Sequence, residues 1–123
     1  MSSKILIVED EQTLANVVKE EFKEKGYEIK IARDGDEALT LARNFQPNIM
    51  LLDLVLPKKG GLDVLAELKA DESLKAIPVI VLSNFAEDDS IKKAIALGAE
   101  DYFVKTQHSI YEVIEKVQKH MSK

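Results

Sequence analysis

Three short apolar runs, at residues 5–8, 49–52 and 79–82, stand out because they do not alternate with polar residues. A strand that is apolar on both sides of its pleat needs cover on both faces, as in a parallel sheet sandwiched between helices. Two weaker segments, 27–32 and 101–104, fit the same rhythm. Between them the apolar positions fall at helical spacing: Leu14, Val17, Val18 and Phe22, then Ala38, Leu41, Ala42 and Phe45. The pattern returns at Ile91, Ala94 and Ile95 and again at Ile110, Val113, Ile114 and Val117, while Leu62, Leu65 and Leu68 mark a helix between the third and fourth strands.

The punctuation agrees. Gly26 and Gly98 stand where helices should end, since glycine accepts the left-handed cap conformation. Ser109 and Glu112 have capping-box spacing at the last helix, and Pro47 and Pro78 each precede a strand. Gly60-Gly61 lacks the phosphate-loop pattern and reads as a tight turn into the third helix. Strand and helix thus alternate five times with no linker, repeat or low-complexity tract. Right-handed crossovers turn this into one doubly wound α/β domain, a (βα)5 unit with a parallel five-stranded sheet, spanning residues 1–123.

Composition narrows the function. A chain of 123 residues with 46% hydrophobic content suits one domain with a real core. The net charge of −5 argues against a nucleic-acid surface, and the lysines around Lys19, Lys23 and Lys25 are interleaved with acids as on a solvated helix face. With no cysteine there is no disulfide framework, thiol nucleophile or cysteine-ligated zinc. The first apolar run is too short for a signal peptide and no stretch approaches a membrane span, so a cytoplasmic protein without membrane contact is expected.

Sheets of this kind bind ligands outside the carboxyl ends of their strands. Here the first strand ends in Glu9-Asp10, the third in Asp53, the fourth in Ser83 and the fifth in Lys105. One sheet edge should bring them together. Three carboxylates in one place repel one another and call for a cation. Oxygen ligands without His or Cys select a hard ion such as Mg²⁺. Lys105 adds a compact positive charge and Ser83 a hydroxyl, which together suit the oxygens of a phosphoryl group carried by Asp53.

Blander readings exist for each residue. Glu9 and Asp10 could cap the first helix. Ser83 could be a turn residue, Lys105 a surface lysine, and Tyr102 a core aromatic with a wet tip. His108 and His120 lie outside the strand-end set and read as solvent-exposed. Capping does not explain Asp53, which ends a buried strand with no local partner.

The whole chain resembles the CheY-like receiver domains of two-component signalling. Ile7-Val8-Glu9-Asp10-Glu11 matches the family's acidic pair after the first strand, and Asp53-Leu54-Val55-Leu56-Pro57 with Gly61 matches its phosphoacceptor pattern. Ser83, Lys105 and Tyr102 match its hydroxyl, lysine and switch aromatic. The resemblance implies a flavodoxin-like sheet of order 2-1-3-4-5. It implies phosphorylation of Asp53 by a histidine kinase or histidine phosphotransferase. It also implies Mg²⁺ held by Glu9, Asp10, Asp53 and the Val55 backbone carbonyl. Such a protein catalyses only its own phosphorylation and dephosphorylation. Ser83 and Tyr102 would pass the signal to a face built from the fourth helix, fifth strand and fifth helix. Output would come through protein contact, as a monomer or a phosphorylation-dependent dimer, since no effector domain follows in this sequence.

One position departs from the family. Proline usually follows its lysine, often through a cis bond, whereas Thr106 follows Lys105. A cis bond there would cost about 2.5–4 kcal/mol, so a trans bond and a differently shaped last loop are expected. Three other functions fit less well. A flavin carrier would find Glu9-Asp10-Glu11 repelling its phosphate. An aspartate-nucleophile phosphatase would want an acid at Val55. A degenerate receiver would not need so complete a site.

Overall fold

A computed structural model describes residues 3–121 of the chain; residues 1–2 and 122–123, the ends of the expected domain, lie outside the described residues. Strands β1 (Lys4–Val8), β2 (Glu28–Ala32), β3 (Ile49–Leu52), β4 (Val79–Ser83) and β5 (Asp101–Val104) alternate with five helices. These are α1 (Gln12–Glu24), α2 (Gly35–Phe45), α3 (Gly61–Ala70), α4 (Asp88–Ala96) and α5 (Ile110–Met121). All four strand pairings are parallel and the order is β2-β1-β3-β4-β5, the CheY-like flavodoxin topology.

The non-alternating runs are explained by cover on both faces. Leu6, Val8, Met50, Leu52, Val79 and Val81 point into a core shared with α2, α3 and α4. Their chain neighbours Ile5, Ile7, Ile49, Leu51, Ile80 and Leu82 point the other way, against α1 and α5. Successive residues of a strand face opposite sides, so a strand with two buried sides has no polar position to spare. Polarity can therefore enter only at the strand ends.

Boundaries shift by a residue from the sequence expectation, each for a local reason. Strand β1 starts at Lys4, whose backbone N–H donates to Asn48 Oδ1 at 2.7 Å. Strand β2 starts at Glu28, because the Tyr27 N–H turns back to the Phe22 carbonyl. Strand β4 includes Ser83, whose carbonyl accepts from Lys105 N at 2.8 Å. Gly26 and Gly98 take φ of +94° and +110°, as helix-ending glycines should. No helix among the described residues is long and apolar enough to cross a membrane.

Candidate functional site

At the β1 end, Glu9 still belongs to the sheet: its N–H donates to the Ala32 carbonyl at 2.9 Å. Its side chain is almost wholly buried, at 4% exposure, while Asp10 beside it is exposed. Asp53 follows β3 in the same manner, its N–H donating to the Val8 carbonyl at 2.9 Å, and it too is buried. Because β1 and β3 are neighbours in register, these ladder bonds bring the acids side by side. Glu9, Asp10 and Asp53 each offer a carboxylate oxygen within 4.8 Å of the others. Oxygen donors alone, with three formal negative charges, fit a hard divalent cation.

Lys105 reaches into this group from beyond β5. Its Nζ donates to Glu9 Oε2 at 2.8 Å and to Asp53 Oδ2 at 3.1 Å, with all three side chains nearly buried. The other oxygens are also occupied: Glu9 Oε1 accepts from Glu11 N at 3.1 Å, and Asp53 Oδ1 from Val55 N at 3.2 Å. Burial and the charge of Asp53 push the Glu9 carboxyl up to about 7, against the pull of Lys105. Burial works against the charged Lys105 ammonium, yet the bond to Glu9 and the charge of Asp53 hold it above the ordinary lysine range. The site therefore keeps its cation and strains to keep all its anions.

Ser83 is fully buried at the end of β4, and its Oγ accepts from Phe85 N at 3.1 Å. Tyr102, half-buried on the α4 side of β5, donates from its hydroxyl to the Phe85 carbonyl at 2.7 Å. The main chain of Phe85 thus touches both Ser83 and Tyr102. Val55 and Phe85 themselves are exposed, at 52% and 42%.

Two features escaped the sequence reading. Glu9, expected only as a metal ligand, is the carboxyl nearest Lys105; only three-dimensional contact across 96 residues reveals this. The histidines are not simply solvent-exposed. His108 stacks edge-on against Phe103 with its Nδ1 3.3 Å from Glu112 Oε2. His120 lies largely buried, Nε2 3.2 Å from Asp101 Oδ2 and Nδ1 3.4 Å from Glu100 Oε2. Each is covered by an acid lying on another turn or element, which a sequence pattern does not display. The chain has no cis peptide among the described residues, so the Lys105–Thr106 bond is trans.

The fold, the clustered strand-end acids and the lysine facing them define a class of phosphorylation-type switch domains. The chain belongs to the response regulator receiver domain family, whose model matches residues 5–118. It is similar to the Mn²⁺-bound form of response regulator Rcp1, at 32% identity over 94% of this chain and 91% of that one, with a TM-score of 0.84. The phosphorylated cyanobacterial phytochrome response regulator RcpA matches at 32% identity over 100% and 96% of the two chains, with a TM-score of 0.88. The receiver domain of a Francisella response regulator, 1452, matches at 28% over 98% of each, with a TM-score of 0.89. Receiver domains of this family are phosphorylation-dependent signalling switches in two-component systems and bind a divalent metal.

Proposed function

We propose that this receiver takes a phosphoryl group on Asp53 from a phosphohistidine donor, a histidine kinase or histidine phosphotransferase, with Mg²⁺ bound at the acids. The observation that carries the reading is Lys105 Nζ bridging Glu9 and Asp53 in a buried cluster that also includes exposed Asp10. A carboxylate oxygen of Asp53 bonds to phosphorus as the donor's imidazole nitrogen leaves with its electron pair. Glu9, Asp10 and Asp53, with the Val55 carbonyl, would hold the ion, which supplies positive charge against the phosphoryl oxygens when bound. Lys105 gives up Asp53 and donates to a phosphoryl oxygen, while Glu9 keeps it from swinging away. Ser83 accepts from Phe85 N and shares its hydroxyl with the Tyr102 phenol, so it would turn from Tyr102 to donate to the phosphoryl group.

The same reading makes Ser83 and Tyr102 the switch and the α4–β5–α5 face the output surface. A monomer or a phosphorylation-dependent dimer in the cytoplasm would then signal by contact with a partner protein. The test is incubation with phosphoramidate and Mg²⁺, read by intact mass. The parent should gain one phosphoryl group and Asp53→Asn none. Equal labelling of the variant removes Asp53 from the role.

A further inference from the structure

Residues 105–109 join β5 to α5; the Lys105 N–H is fixed to the Ser83 carbonyl of β4 at 2.8 Å, and beyond it little stiffens the backbone. No proline fixes φ there. Thr106 and Gln107 are exposed, and one backbone bond closes the turn, from Gln107 N to the Val104 carbonyl at 3.0 Å. Lys105 is held at its tip by Glu9 and Asp53, while its stem is open on one side. It lines a cleft of about 210 Å³ together with Leu14, Leu82, His108, Ile110 and Val113. On the cleft side the stem has open space beside it, so its aim rests on the ion pairs at its tip and on the loop that carries it.

Beyond Lys105, His108 is the half-buried side chain of this segment, and it is tethered twice. Its ring meets Phe103 of β5 at 5.3 Å between centroids and 72° between planes. Its Nδ1–H donates to Glu112 Oε2 of α5 at 3.3 Å. Glu112 is held in turn, because Oε1 accepts from Ser109 N while Glu112 N donates to Ser109 Oγ, both at 3.2 Å. Strand, loop and helix are thereby closed into one ring of contacts, with the imidazole as the link and as a wall of the cleft.

We infer that His108 is a positioning residue for Lys105: wedged on Phe103 and bonded to Glu112, it fixes the loop that aims the ammonium at Asp53. The inference rests on the proposal that Lys105 holds a phosphoryl oxygen. A role confined to starting α5 would affect stability and leave the chemistry alone. A role through Lys105 must vanish once Lys105 is gone, since effects passing through one group are not additive.

The experiment follows phosphoramidate labelling of Asp53 with Mg²⁺ by intact mass in the parent, His108→Ala, Lys105→Ala and the double variant. His108→Ala should label about tenfold more slowly, the scale of a small misplacement of a reacting group, with Mg²⁺ affinity unchanged. His108→Tyr, which returns an aromatic edge to Phe103, should recover most of the rate, and Gln107→Ala should match the parent. Adding His108→Ala to Lys105→Ala should change nothing further. If circular dichroism shows that His108→Ala is unfolded, His108→Gln carries the same comparison, again with a slower rate expected. Parent-like labelling in a folded His108 variant overturns the inference, as does an equal slowing in the Lys105→Ala background. If the parent itself takes up no phosphoryl group, the proposed function fails and this inference with it; failure of the variants alone leaves that function standing.

Discussion

Glu9 is held between opposite demands: burial and Asp53 favour its neutral form, while Lys105 favours its charge, and the first pair wins. A carboxyl near 7 in the folded chain and near 4.5 when unfolded keeps its proton longer in the folded state. Between those pH values the folded state binds more protons, so metal-free stability falls as pH rises through the window and levels off above it. Urea melts from pH 4.5 to 8 without Mg²⁺ should show that decline, and Glu9→Gln should flatten it. A second residue-scale prediction concerns the lifetime of the phosphoryl group. Val55 and Phe85, exposed beside the site, offer no hydrogen bond to orient an attacking water. Val55→Asn combined with Phe85→Glu should speed loss of the phosphoryl group about tenfold, or about 1.4 kcal/mol of barrier. Decay at the parent's rate would mean that lifetime is set elsewhere. Residue types at strand ends were readable in advance because a doubly covered strand has no other place for polarity. The partner each one chose was not, since Glu9 and Lys105 are 96 residues apart.

The connection from β3 to α3 shows the same division at the level of elements. Gly60-Gly61 was readable as a turn into a helix, and α3 does begin at Gly61 with Gly60 as its N-cap. The sequence does not show why the second glycine matters. A Cβ on Gly61 would overlap the Asp53 carbonyl oxygen and Leu54 Cα, both main-chain atoms that cannot easily yield. On Gly60 the nearest atom would be 3.9 Å away. Gly61→Ala should therefore cost about 1–3 kcal/mol and slow phosphorylation, because the carbonyl displaced belongs to Asp53, the proposed acceptor. Gly60→Ser should be neutral or gain about 0.5 kcal/mol through better N-capping. Chemical denaturation of the two variants distinguishes them, and equal effects would contradict the packing argument. The left-handed Lys58, φ +66°, in the same loop had no sequence signal, since lysine shows no preference for that conformation.

Across the whole molecule, β5 stands between the site and the α4 surface. Phe103 faces α1 and α5, whereas Tyr102 faces the α2–α3–α4 side, so one strand reports to both layers. The Phe85 main chain, shared by Ser83 and Tyr102, lies where a re-aimed Ser83 hydroxyl would be felt. Beryllofluoride with Mg²⁺ should shift backbone resonances across residues 87–120, with Ser83 drawn toward the site and Tyr102 changing rotamer. Tyr102→Phe should weaken the shifts in α4 while leaving uptake at Asp53 intact. Shifts confined to the immediate site would argue against propagation. The architecture was readable because its periods are strong, whereas the output face was named only through the family resemblance, since it depends on side chains meeting across elements. The bridge from Lys105 to Glu9 carries one more consequence, for biogenesis. It joins the residue ending the first strand to the segment after the last, so the acids are synthesised well before the lysine that offsets them. A nascent receiver lacking β5 would hold a cluster of uncompensated carboxylates, and competence for phosphorylation would arrive late and all at once, when the fifth strand docks.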